Sequence, residues 1–126
     1  MNLRAILGAA CLVGAVIAVV VGGRSRCSLM RVLQVHCGYR VPAGEDTVVH
    51  AEAALLRAQG HEVHQHLVQN PSNPLTAVGN LVVSVHNRSA VRNLMRAVAE
   101  FRPDVAHVHN TWFSLSAAVV PALAAA

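Results

Sequence analysis

Three short valine-rich stretches recur along the chain, separated by segments long enough to form helices. They are RVLQVH at residues 31–36, HEVHQHLV at 61–68 and DVAHVH at 104–109. Short strands that alternate with helical crossovers are typical of an α/β domain with a parallel, doubly wound sheet. The sequence therefore predicts a partial Rossmann-like fold, with three parallel strands flanked by helices.

The segments between these stretches have helical patterns and recognisable ends. Glu45 and Asp46 precede a first helix, which Gly60 closes as a C-terminal cap. An apolar stripe is expected along that helix, formed by Val48, Val49, Ala53, Leu55 and Leu56. Two more helices are predicted at residues 75–85 and 89–101, the second ended by Arg102 and Pro103. A last helix containing Pro121 is expected after the third strand.

The N-terminal part of the chain is apolar without interruption. Residues 5–23 include no charged side chain, and a helix of that length roughly matches the hydrocarbon core of a bilayer. Arg4 precedes this stretch, whereas Arg24, Arg26 and Arg31 follow it, which weakly favours a cytoplasmic location for the downstream part. A cleaved signal peptide is a rival interpretation, and so is an upstream extension of a start at Met30.

The domain division follows from these patterns and from the length. Residues 1–29 form a hydrophobic N-terminal segment, which is a membrane helix, a signal or an extension, and residues 30–126 form an incomplete Rossmann-like domain. A chain of 126 residues has no room for a second large domain. If residues 1–29 are not an anchor, we expect a cytoplasmic protein.

Composition excludes some classes of function. Aromatic residues make up 3% of the chain, too few for a stacking platform that binds nucleic acid. All ten basic residues are arginines, and the seven that follow Met30 are nearly balanced by six acidic residues, so we expect no nucleic-acid partner. The cysteines Cys11, Cys27 and Cys37 show neither a disulfide framework nor the spacing of a zinc site.

Candidate site residues lie where two of the predicted strands end. Ligands of open α/β sheets bind beyond the carboxyl ends of the strands. Gly44, in the loop after the first strand, either supports a tight turn or lets backbone approach a ligand. His109 ends the third strand, where an imidazole can bind a sugar hydroxyl or a phosphate, or accept a proton. His107 is interpreted as a packing or hydrogen-bonding residue within that strand.

A metal site is not predicted from these histidines. His107 and His109 share one face of a strand, but the spacing places no third ligand beside them. His64 and His66 also share a face of the second strand, and we interpret them as solvated residues of a sheet edge. We therefore expect no metal and no cofactor.

Three motifs together resemble a known family. MRVLQVH, then PAGEDTVVHAEAALLRAQGHEV, then FRPDVAHVHNTW occur in the order and spacing of the N-terminal domain of family-4-like glycosyltransferases of the two-domain GT-B type. The similarity extends from Met30 to about Leu123. It implies transfer of a sugar from a nucleotide-sugar donor to an acceptor hydroxyl, with retention of configuration and generally without a metal.

The resemblance also implies roles for individual residues. Ala43 and Gly44 match the loop that approaches donor phosphates and acceptor, with Ala43 in place of a common second glycine. His109 matches the catalytic histidine that faces the transferred sugar, and Asn110 matches its substrate-binding neighbour. The family holds the nucleotide mainly in a second domain, so we expect this chain to be a truncated, acceptor-side piece that is inactive alone.

Two other classes of function remain open. One is a non-catalytic, membrane-anchored α/β module that binds a partner, or a degraded remnant of an enzyme. The other is a small nucleotide-binding or response-regulator-like protein. The latter is disfavoured because the first strand does not end in the acidic cluster that phosphoacceptor domains need.

Overall fold

A computed structural model describes residues 17–20, 29–38, 44–70, 86–112 and 114–126. Ala43 and the helix predicted at residues 75–85 lie outside the described residues. The elements, in chain order, are β1 (Ile17–Val20), β2 (Arg31–Gly38), α1 (Gly44–Ala58), β3 (Glu62–Gln69), α2 (Arg88–Phe101), β4 (Val105–Asn110) and α3 (Val119–Ala124).

The sheet confirms the predicted parallel α/β arrangement. Its strand order is β1-β4-β2-β3, and β2 pairs in parallel with both β3 and β4. The chain thus moves from the central β2 to β3 on one side, and then crosses to β4 on the other. A topological switch point therefore lies between β2 and β4, where ligands of such sheets usually bind.

The strand β1 differs from the helix predicted for the N-terminal segment. Ile17–Val20 pairs antiparallel with β4, with Val20 opposite Val105. β-Branched residues such as Ile17, Val19 and Val20 favour strands. The open edge of β4 also provides hydrogen-bonding partners for the backbone of these residues. The helix prediction is thus wrong for these four residues, and the rest of residues 1–28 lies outside the described part. No helix among the described residues is long and apolar enough to span a bilayer.

The sheet has one apolar face. Alternate side chains of β2 and β4 point to this face, and they pack against α2 and α3. The buried members of this core are Leu33, Val35, Cys37, Leu94, Val98, Ala106, Val108, Leu115, Val119 and Leu123. Burial of these side chains is the main source of stability in this part of the chain.

The opposite face lies beneath α1 and combines the buried Val32 with polar side chains. Gln34 and His36 of β2 alternate with the core residues, and Gln34 is fully buried. Glu52 and Asp46 of α1 contact these two side chains. The two layers of helices therefore cover chemically different faces of one sheet.

The helix ends follow the sequence signals. Gly60 has a φ of 88° after α1, and the backbone N–H of His61 donates to Leu56 O, as expected for a glycine cap. Asn87 caps α2 by accepting from the backbone N–H of Ala90. Arg102, in the left-handed region, ends α2 as predicted.

The apolar stripe predicted on α1 is only partly correct. Val49 and Ala53 are buried, whereas Val48 and Leu55 are exposed to solvent. The helix packs on the sheet through a narrow strip, because the neighbouring positions on the buried side include the polar Glu52. The last helix is also shorter than predicted, because turns occupy the residues before Val119. Pro121 lies in its first turn, where a missing N–H costs nothing.

Truncating a core leucine on α2 tests the apolar face. Leu94→Ala is expected to lower the free energy of unfolding by about 2–5 kcal/mol, because Leu94 is fully buried and its loss leaves a cavity. Leu55→Ala is the matched control in α1, where the side chain is 63% exposed. Its effect should stay within about 0.5 kcal/mol. Urea titrations followed by circular dichroism measure both values, and equal losses would contradict the packing described.

The thiol of Cys37 should be unreactive in the folded chain. Burial raises the pKa of this thiol above its usual value, although hydrogen bonds with Ser114 and Leu115 act in the opposite direction. Iodoacetamide labelling followed by mass spectrometry of the Cys37 peptide checks this. We expect labelling in guanidinium and almost none in native buffer. Comparable labelling under both conditions would show that the strand end is open.

Candidate functional site

A carboxylate from α1 joins the polar side chains of two strands. Glu52 Oε1 lies 2.9 Å from His107 Nδ1, and Glu52 Oε2 lies 2.7 Å from His109 Nε2. Gln34 Nε2 donates to Glu52 Oε2 at 2.9 Å. We refer to Gln34, Glu52, His107 and His109 as the Glu52 cluster.

Helix and strand geometry together explain why the side chains of the Glu52 cluster contact one another. Glu52 lies three residues after Val49 and directly before Ala53, so it shares the side of α1 that faces the sheet. His107 and His109 are two residues apart on β4 and project to the same face. In the sheet register Gln34 is the partner of His107, which brings all four side chains together.

His109 is the most enclosed imidazole of the cluster. Its side chain is 9% exposed, and its Nε2 makes no hydrogen bond to the described residues despite the short distance to Glu52. Burial lowers the pKa of His109, and nearby His107 lowers it further, although Glu52 acts in the opposite direction. The neutral ring is therefore favoured, and its contact with Glu52 is not a pairing of two full charges.

A chain of amide groups holds the carboxylate in position. Gln65 Nε2 of β3 donates to Gln34 Oε1 at 3.1 Å, and Gln34 in turn donates to Glu52. The buried amide of Gln34 therefore donates through its nitrogen and accepts through its oxygen. This arrangement orients Glu52 from the sheet side and limits its freedom to turn away.

A second carboxylate–imidazole pair adjoins the cluster. His36 Nε2 lies 3.1 Å from Asp46 Oδ1, and the His36 side chain is almost fully buried. The rings of His36 and His109 are 6.2 Å apart in an edge-on arrangement. Three imidazoles and two carboxylates thus lie between α1 and the sheet.

Gly44 occupies the first position of α1, at the carboxyl end of β2. A Cβ at this residue would meet no described atom within 4 Å, and the backbone does not adopt a positive φ. Gly44 thus needs no left-handed backbone within α1, and the predicted tight turn before it lies outside the described residues. Among the described residues, the space where a Gly44 side chain would lie is open, so a ligand could approach the backbone there.

Asn110 contacts backbone on both sides of the switch point. Its Nδ2 donates to Cys37 O at 3.0 Å, and its Oδ1 accepts from the backbone N–H of Trp112 at 2.9 Å. The side chain thus ties the end of β4 to the end of β2. Its predicted role in substrate binding stays a prediction, and the contacts seen are structural.

The structure brings together residues that the sequence did not predict to share a site. His107, interpreted as an ordinary strand residue, joins His109 on the same carboxylate. Glu52, Gln34 and His36 were missed as site residues. A carboxylate beside the buried positions of α1, together with polar residues alternating along β2, is the signal that could have indicated them.

The cluster can bind a cation or hold a proton. One ligand atom each from Glu52, His107 and His109 lies within 4.8 Å of the others. By contrast, His64 and His66 lie on β3, at the edge of the described sheet as predicted. No carboxylate joins them in a comparable group among the described residues.

Replacing the buried glutamine by an apolar residue tests the amide chain. Gln34→Leu is expected to lower the free energy of unfolding by about 1–3 kcal/mol, because Glu52 loses a donor and Gln65 loses an acceptor. Gln69→Leu, at an exposed end of β3, is the control and should change stability by less than about 0.5 kcal/mol. Denaturant titration gives both values. A Gln34→Leu variant as stable as the parent chain would show that the amide contacts contribute nothing.

Comparison with known proteins identifies no relative. The chain matches no protein-family model, and no curated protein and no solved structure shows significant similarity to it. The resemblance noted in the sequence thus stays a prediction.

Proposed function

We propose that the chain is the acceptor-side N-terminal domain of a retaining, two-domain glycosyltransferase that uses a nucleotide-sugar donor. The observation that carries the proposal is the switch point between β2 and β4. Gly44 follows the first of these strands and His109 lies near the end of the second, so two of the residues matched by the resemblance belong to the region where open α/β sheets usually bind ligands in a crevice.

The start of α1 supports this assignment. Backbone N–H groups at a helix N-terminus favour an anion, and no described atom occupies the space where a side chain at Gly44 would lie. A donor phosphate or an acceptor oxygen could approach there. The next two residues, Glu45 and Asp46, are acidic. Backbone N–H groups, rather than a basic side chain, would therefore bind the anion here.

The surroundings of His109 support a role beside a transferred sugar. A neutral imidazole can accept a proton from a sugar hydroxyl or donate one to it. The Glu52 carboxylate lies against the ring and restricts its orientation. In the proposed enzyme His109 is the catalytic residue of this domain, and Glu52 is a positioning residue.

The proposal requires a second Rossmann-like domain that faces the same crevice. In enzymes of the resembled type, that domain holds the nucleotide and stabilises the leaving diphosphate, which is usually the largest contribution to catalysis. The gene downstream of the Ala126 codon is therefore the first thing to read. An encoded second domain with an acidic pair would support the proposal, whereas its absence would favour a non-catalytic binding module.

Activity of the complete encoded protein provides the functional test. Release of nucleoside diphosphate from a panel of nucleotide sugars should be detected, and His109→Ala should lower kcat by about 100-fold or more. His64→Ala is the matched control, because His64 lies on β3 beside Phe101 of α2, on the face of the sheet opposite to Glu52. Equal activity of the His109→Ala variant and the parent would overturn the assignment.

A glycine substitution separates fold from function in the same assay. Gly44→Ala should leave stability unchanged or slightly raised, because alanine is favoured in a helix and meets no described atom here. We expect a raised KM for the donor or acceptor, because the added methyl group intrudes on the proposed approach. Unchanged kinetic constants would remove Gly44 from the site.

A further inference from the structure

We propose that Glu52, His107 and His109 form a binding site for one divalent transition-metal ion, with Zn²⁺ as the best match. This inference goes beyond the proposed sugar transfer and does not rest on it. The three residues come from α1 and β4, and one ligand atom from each lies within 4.8 Å of the others.

The ligand set has the chemistry of a known class of metal sites. Two imidazoles with one carboxylate bind Zn²⁺ in many enzymes and leave a fourth position for water or substrate. The same set also suits Fe²⁺. Mg²⁺ and Ca²⁺ prefer sites made entirely of oxygen atoms, so two imidazoles disfavour them.

A buried nitrogen with a close but misaligned neighbour points to a ligand. The His109 side chain is 9% exposed, and its buried Nε2 lies 2.7 Å from Glu52 Oε2 without the geometry of a full hydrogen bond. Such a contact leaves the nitrogen poorly satisfied. Its nearest charged neighbour is Glu52 Oε2, so a cation between the two atoms would satisfy both.

The distances require only a small adjustment. A tetrahedral ion with bonds of about 2.0–2.2 Å holds neighbouring ligand atoms about 3.4 Å apart. The present contacts from Glu52 to His107 and His109 are 2.9 Å and 2.7 Å. The contact with His107 must therefore lengthen by about 0.5 Å and the contact with His109 by about 0.7 Å, which a rotation of the Glu52 side chain can provide.

The outer contacts of the site fit this assignment. Metal-ligating groups are commonly held by a second layer of hydrogen bonds. Gln34 donates to the Glu52 carboxylate and is itself held by Gln65. The carboxylate is therefore oriented from the side opposite α1 before any ion arrives.

Occupation by a metal has a consequence for His109. An ion bound at Nε2 uses the lone pair that would otherwise accept a proton. The bound ion and a proton on this nitrogen therefore exclude one another. In the proposed enzyme, Zn²⁺ would compete with the role of His109 beside the sugar.

The test is calorimetric titration of Zn²⁺ into the purified 126-residue chain. We expect one ion per chain and a higher Tm with Zn²⁺ but not with Mg²⁺. The double variant His107→Ala/His109→Ala should bind Zn²⁺ at least about 100-fold more weakly. The control is His64→Ala/His66→Ala, which removes two histidines of the same spacing from β3 and should leave the affinity within about threefold.

A nearly isosteric substitution distinguishes loss of metal binding from loss of folding. Glu52→Gln keeps the size of the side chain but removes its charge, and it should weaken Zn²⁺ binding by at least about tenfold with an unchanged circular dichroism spectrum. Co²⁺ gives a second readout, because its visible absorption reports four-coordinate binding. We expect this absorption in the parent chain and in the His64→Ala/His66→Ala variant, but not in Glu52→Gln. Equal Zn²⁺ affinity of the parent and Glu52→Gln, or equal losses in both double variants, would overturn the proposal.

Discussion

The contact of the Glu52 carboxylate with two imidazoles and a buried amide organises the α1 side of the sheet. Polar groups are costly to bury unless they find partners, and this face contains Gln34, His36, His107 and His109. One carboxylate with two oxygen atoms lies within reach of three of these side chains. Without such a group from α1, the helix would cover a row of unsatisfied polar atoms.

The two faces of the sheet therefore contribute differently. The face beneath α2 and α3 is apolar, and its energy comes from burial that does not depend on direction. The face beneath α1 depends on directed contacts, which cost more when a partner is lost but hold titratable groups in defined positions. The larger apolar core thus lies on one side of the sheet and the Glu52 cluster on the other.

The proposed sugar-transfer site and the proposed metal site lie at the same end of the sheet. Gly44, His109 and Asn110 lie near the switch point between β2 and β4, and Glu52 contacts His109 from the middle of α1. The proposed sugar transfer uses the His109 ring as a proton acceptor or donor, whereas the proposed metal site uses its lone pair. The Glu52 cluster is thus the point at which a cation would alter the proposed chemistry of the crevice.

Local sequence patterns predicted the three parallel strands, α1, α2 and several of their ends. Period-two alternation in β2 and β4, helical spacing of Leu94 and Val98, and the cap at Gly60 depend on neighbours a few residues away, so they could be predicted. The sequence also placed His109 at a strand end. The predicted helix at Ile17–Val20 failed because an apolar run is compatible with either a helix or a strand.

Which strands are neighbours, and which side chains contact one another, depends on tertiary packing. Glu52 and His109 belong to different elements, and no local spacing relates a helix position to a strand position. Their contact depends on the order of the strands, the pairing of β2 with β4 and the rotation of α1 about its axis. These are outcomes of packing over the whole sheet, and for that reason the third ligand beside the two histidines could not be predicted from the pattern of residues.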